Sequence, residues 1–197
     1  SIAIAQHFVR LGLKVLLVDA DMRNPSLHKY ISADCSVGLS SYLSGASELA
    51  AVIQQTDTAG LAFMPAGHLP PNAADLLGSP HLLSLLSDSQ EVFDLVIIDG
   101  PPVLGIADAL LLSNAAEGTV FAIGSGVARG GAVRSALRRL ELSKCPVLGV
   151  VVTKFDAKTA GYGYGYSYGY GYDAAALSYG ASASSGDQAA PTLPGPA

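Results

Sequence analysis

Five short apolar runs, rich in β-branched residues, constrain the fold of this chain more than any other feature: KVLLV at 14–18, LAFM at 61–64, DLVII at 94–98, TVFAI at 119–123 and VLGVVV at 147–152. Continuous runs of this length are the mark of strands buried on both faces, as in a parallel sheet whose crossovers cover each face with helices. The stretches between them carry helical spacing. In residues 129–144, Val133, Ala136, Leu137 and Leu140 follow the i, i+3, i+4, i+7 rule, and Arg134, Arg138, Arg139 and Glu141 fall on the other faces, a solvated side. Ser79 followed by Pro80 predicts a helix start, a cap and then Pro at the first helical position. Residues 1–11 predict another helix, ended by Gly12 and lacking a start signal, so a strand and loop are expected ahead of it. Alternating strands and helices give an α/β class with a doubly wound, mostly parallel sheet.

Composition divides the chain near residue 158. Residues 1–157 carry the alternating pattern and are expected to form the domain. Residues 158–197 contain GYGYGYSYGYGY at 161–172, followed by an Ala, Ser, Gly and Pro segment without Lys or Arg. Such a tail buries too little surface to offset its ordering entropy. The length of 197 residues suits one domain of about 150 plus this appendage. Eleven Lys and Arg against sixteen Asp and Glu, with the basic residues scattered, exclude the charge footprint of a nucleic-acid binder. No apolar run approaches the roughly 18 residues that a spanning helix needs. Cys35 and Cys145 form no disulfide framework, and His7, His28, His68 and His81 show no metal-ligand spacing. The cysteines read as small buried hydrophobes and the setting as a reducing cytosol.

Two strand ends carry the chemistry. VLLVDADMRNP, residues 15–25, closes a buried strand with Asp19 and Asp21, then Arg23 and Pro25. The carboxyl ends of parallel strands border the crevice where α/β folds bind ligands, and alternate residues of an extended segment point the same way. Two carboxylates so placed repel unless a magnesium ion lies beside them; the alternative is a pair of turn-forming aspartates capping the next helix. LVIIDGPPV, residues 95–103, closes a second strand on Asp99, placed like the acid that holds magnesium beside nucleotide phosphates. The tail supplies acceptors. Tyr162, Tyr164, Tyr166, Tyr168, Tyr170, Tyr172 and Tyr179 make up seven of the nine tyrosines, six of them spaced by Gly or Ser, which leaves each phenol sterically open. An adhesive Gly/Tyr segment is the alternative reading of the same stretch.

Asp19-x-Asp21-x-Arg23, the Asp99 strand with Pro101-Pro102, the phrases GLSSYLSG at 38–45 and LPPN at 69–72, and the tyrosine cluster together resemble the bacterial tyrosine kinases of exopolysaccharide and capsule synthesis. The resemblance implies a P-loop NTPase type of fold and the cofactors ATP and Mg2+. Asp19 and Asp21 become catalytic acids, Asp21 and Asp99 metal ligands, Arg23 and Thr153 nucleotide contacts, and the seven tail tyrosines autophosphorylation sites. It also implies partners: further copies of the chain, with a tail in a neighbour's active site, and a membrane-anchored polysaccharide copolymerase or activator segment on the same or another chain. The location implied is the cytoplasm, at the inner face of the plasma membrane. Two departures stand out. The family's Gly-Lys-Ser/Thr phosphate loop does not occur in the sequence, and spacing places it immediately ahead of Ser1. The Val151-Val152-Thr153-Lys154-Phe155 segment lacks the usual Asn before Lys. Two other readings share the fold: a partition or septum-placement type of switch ATPase, which has no use for the tyrosines, and a degenerate regulatory module.

Overall fold

The computed structural model describes residues 1–155. Its centre is strand β1 (Val15–Asp19), flanked by β3 (Leu61–Met64) and β4 (Leu95–Asp99), both parallel to it. A two-residue strand, β2 (Gln54–Gln55), adds antiparallel to β3 at the edge. Strands β5 (Thr119–Gly124) and β6 (Val147–Thr153) form a separate parallel pair.

The runs of β1, β3 and β4 become strands with helices over both of their faces, whereas β5 buries only Phe121 and β6, expected to be buried, leaves Leu148, Val150, Val151 and Val152 exposed. Leu16 and Val18 of β1, Ala62 and Met64 of β3, and Val96 and Ile98 of β4 pack on one side, beneath helices α3 (Leu39–Leu43), α5 (Ala73–Leu77), α6 (Pro80–Gln90) and α7 (Asp108–Ala115). The alternate residues Val15, Leu17, Leu61, Phe63, Leu95 and Ile97 pack on the other, beneath helix α1 (Ile2–Arg10), whose Ala5 is fully buried. A period of two therefore operates inside each unbroken run: it divides one core from the other where a half-exposed strand would divide core from water. The short helices α2 (Leu27–Ile31) and α4 (Leu49–Val52) join this framework. On the second sheet, α8 (Gly130–Leu140) packs Ala136 and Leu140 against Phe121.

The GLSSYLSG phrase acquires a structural reason. The amides of Leu39 and Ser40 donate to the carbonyls of Pro65 and Ala66 at 2.8 and 2.9 Å, closing α3 onto the segment after β3. A Cβ on Gly38 would lie 2.1 Å from the Pro65 oxygen, so this approach requires glycine.

Sequence reasoning expected one sheet; here β4 and β5 share no ladder. A cavity of about 450 Å3 separates them, lined by Ile98, Asp99, Pro101, Leu112, Thr119 and Phe121. All five residues of β4 stay partly exposed along this side, whereas every residue of β1 is buried.

Candidate active site

The register of β1 and β4 creates the site. Pairing runs from Val15 with Leu95 to Asp19 with Asp99, so the last residue of each strand is an aspartate and the two stand side by side. The Ala20 amide donates to the Asp99 carbonyl at 2.9 Å, which extends the pairing one residue beyond the strands.

The aspartates at 19 and 21 sit in different surroundings. Asp19 is 1% exposed. One of its oxygens accepts the amides of Ser26 and Leu27 at 3.1 and 3.0 Å, capping α2, and the other accepts the Asp21 amide at 3.3 Å. Burial pushes the Asp19 carboxyl above the ordinary carboxylate range; the three amides oppose that push and the neighbouring Asp99 adds to it. Asp21 is only partly buried. Its Oδ1 accepts the amides of Arg23 and Asn24 at 3.3 and 3.0 Å, an Asx turn that leaves Oδ2 outside these bonds. The turn-forming alternative and the chemical one therefore coexist: backbone amides hold both carboxylates in place, and Asp21 still turns a free oxygen outward.

Arg23 reaches across the loop to a residue that sequence reasoning missed. Its Nε and Nη2 donate to Asp108 Oδ2 and Oδ1 at 2.7 and 3.2 Å, the only ion pair among the described residues. Asp108 opens α7 and is 2% exposed, and its contact holds the Arg23 guanidinium still further above its ordinary value. An acid heading the apolar DALLL start of this helix was the available signal. Arg139, expected on a solvated helix face, instead donates from Nη2 to the Ile106 carbonyl at 2.8 Å. Two guanidiniums therefore anchor the end of the loop that follows Asp99, at Ile106 and at Asp108 where α7 begins.

Thr153 does not join this group. It ends β6 in the second sheet, and its hydroxyl donates to the Ile123 carbonyl at 3.3 Å, which leaves the oxygen free to accept. Cys145 is buried as expected, but Cys35 is half-exposed, its Sγ 3.7 Å from the Gly67 carbonyl. The seven tail tyrosines and the 157/158 boundary lie outside the described residues.

Among the described residues, no group of three or more His, Cys, Asp or Glu forms a metal cage. The donor set nevertheless fits magnesium. Mg2+ usually takes one or two carboxylates and completes its shell with water and substrate phosphates, and Asp21 with Asp99 supplies two hard oxygen donors at the carboxyl edge of the sheet.

Comparison with known proteins places the chain in a family. A family model described as an AAA domain matches residues 1–120. The tyrosine-protein kinase YwqD of Bacillus subtilis (strain 168) is 36% identical over 149 residues, 76% of this chain and 63% of that protein. The tyrosine-protein kinase CpsD of Streptococcus agalactiae serotype III (strain NEM316) is 32% identical over 163 residues, 82% of this chain and 70% of that one. Among solved structures, the kinase domain of the Escherichia coli tyrosine kinase ETK superposes with a TM-score of 0.75 at 30% identity, covering 84% of this chain and 65% of that domain. This chain thus spans roughly two thirds of each of these relatives. Shared fold and identity at this coverage lead to one conclusion: the chain belongs to the bacterial tyrosine-protein kinase family.

Proposed function

We propose that this chain is the greater part of an ATP-dependent protein tyrosine kinase that phosphorylates its own C-terminal tyrosines, Tyr162, Tyr164, Tyr166, Tyr168, Tyr170, Tyr172 and Tyr179, and thereby regulates exopolysaccharide synthesis or export. The observation that carries this reading is the pairing of Asp19 with Asp99, which puts three carboxylates at one strand edge.

Their environments divide the work. Asp19, buried and capped by three amides, is a positioning residue that fixes the loop bearing Asp21. Asp21 and Asp99 would hold magnesium, which would supply positive charge against that developing on the transferred phosphoryl group. Asp21 Oδ2 also accepts the phenolic proton, which a tyrosine of pKa near 10 must lose as its oxygen forms the new bond to phosphorus and the bond to ADP breaks. Thr153 offers its free lone pair to the base of the nucleotide.

The phosphates need a cradle of backbone amides and a lysine. The cavity between β4 and β5 borders Asp99, and on this reading the phosphates would lie on that side of the strand ends. The working unit on this reading is a homo-oligomer with each tail in a neighbour's site, held at the membrane by a polysaccharide copolymerase or activator segment.

The test is phosphotyrosine formation by the chain extended with the segment encoded ahead of Ser1, as wild type and as Asp21→Asn and Asp99→Asn. Loss of at least a hundredfold in rate by both variants, with an unchanged melting transition, is the expected result. Wild-type rates in a folded Asp99→Asn variant contradict the assignment.

A further inference from the structure

We infer that Arg23 and Asp108 form a positioning latch: the pair holds the loop carrying Asp21 against the start of α7, and it keeps the arginine charge off Asp21 and Asp99. This rests on the proposed role of those two acids.

Three contacts close a ring around the site. The register of β1 and β4 joins Asp19 to Asp99; the Asp21 carboxylate binds the Arg23 amide; and the Arg23 side chain binds Asp108, which follows Asp99 by the loop 100–107. The ring therefore encloses Asp19, Asp21 and Asp99. The Asp108 end of the ring is independently tethered two residues away by Arg139 on the Ile106 carbonyl, so movement at the Arg23 contact passes to the Asp21 turn before it passes to α7. A planar guanidinium donating through two nitrogens fixes direction as well as distance, which a lysine ammonium does not.

Charge placement is the second part. Arg23 lies two residues from Asp21, and its side chain is 48% exposed, so it is free to turn once its partner is lost. Asp108 is buried and is the only ion-pair partner of the guanidinium among the described residues; Asp21 attracts it at longer range and more weakly. With Asp108 neutral, Asp21, which already attracts the Arg23 guanidinium, is left as the carboxylate for it to pair with, and a guanidinium there competes directly with a divalent cation. A cation next to the acids of a magnesium site is useful only while it is held away from them.

The prediction is a reversal that ordinary structural support does not produce. Mn2+ serves as the probe, titrated into the 197-residue chain and read by the paramagnetic resonance of the free ion. Asp108→Asn is expected to weaken Mn2+ binding about tenfold; adding Arg23→Gln to it, which removes the released charge, is expected to restore affinity to within about threefold of wild type. A double variant as weak as Asp108→Asn overturns the charge half of the latch. Asp99→Asn in the same titration reports on the underlying reading: if it leaves Mn2+ binding unchanged, the acids hold no cation and the proposed function loses its metal site. The positional half is judged without any metal, by amide hydrogen exchange. Asp108→Asn is expected to speed exchange at Asp21, Arg23 and Asn24 at least tenfold, with Leu82 and Leu85 of α6 unchanged, and Arg23→Lys to give an intermediate effect. Unchanged exchange at the three loop amides, or an equal rise throughout the chain, overturns the latch.

Discussion

Replacing Asp19 by Asn tests whether one buried carboxylate organises the loop that presents Asp21. The wild-type group accepts three amides, from Asp21, Ser26 and Leu27, at 3.3, 3.1 and 3.0 Å. Asn has the same shape but offers one oxygen and one NH2, so it serves either the Ser26 and Leu27 pair or Asp21 and turns a donor toward the other. A lost hydrogen bond to a charged group costs about 1.5–3 kcal/mol. Partial exposure of Asp21 lets water recover some of that, and Asn escapes the burial of a charge. The net destabilisation expected is therefore about 1–3 kcal/mol, and it depends on pH. Burial raises the folded-state pKa of Asp19 above its unfolded value of about 3.9. Between the two values the folded state binds more protons than the unfolded state, so wild-type stability from this group is full below about pH 4 and falls as pH rises through the raised value. Asn does not titrate. The wild-type advantage over Asp19→Asn is thus widest near pH 4 and narrows toward pH 7, other groups cancelling in the difference. Urea unfolding of both proteins followed by circular dichroism at pH 4, 5.5 and 7 measures it. An advantage that grows with pH, or an Asp19→Asn variant as stable as wild type at all three, refutes the reasoning.

Three further outcomes follow from the same structure. Leu17, fully buried between β1 and α1, is expected to cost about 2–5 kcal/mol on truncation to Ala, and denaturant titration checks this against Leu148, whose exposed side chain truncates at under about 0.5 kcal/mol. The 197-residue chain is expected to bind magnesium-ATP more weakly than micromolar, because its sequence contains no Gly-Lys-Ser/Thr loop; calorimetry showing micromolar binding means the phosphates rest elsewhere. Residues 161–197 carry Asp173 and Asp187 without Lys or Arg, so phosphorylating seven tyrosines adds about −10 to −14 of charge and is expected to open an oligomer by summed repulsion, screened as salt rises. Light scattering on single Tyr→Phe variants checks this: gradual loss supports summation, and loss from one substitution alone points to a specific contact.

Much of the fold was readable because its strands are unbroken apolar runs, and an unbroken run has few alternatives in a chain with helical spacing between. Each of the five expected strands is present, displaced by at most one residue at an end. Strand β2 was not readable: Gln54 and Gln55 carry no strand signal and pair only because β3 leaves an edge beside them. Nor was the separation of β4 from β5, which follows from three-dimensional neighbours and leaves no trace in either run. At the site, the acids were legible from their places at strand ends, whereas their division of labour was not. Asp19 and Asp21 look alike in sequence, and only the path of residues 20–27 buries one under three amides and exposes the other. The Arg23 contact with Asp108 spans 85 positions, beyond the reach of any local pattern.

On the proposed function, Asp21 and Asp99 direct a phosphoryl group to tyrosine and not to water. Incubating the chain, extended by the segment encoded ahead of Ser1, with γ-labelled ATP and mapping the label by mass spectrometry tests it most directly. Label is expected on tyrosines between Tyr162 and Tyr179, and is expected to be lost in Asp21→Asn and Asp99→Asn. Release of all the label as inorganic phosphate, with the tyrosines unmodified, contradicts it and makes the protein a switch ATPase.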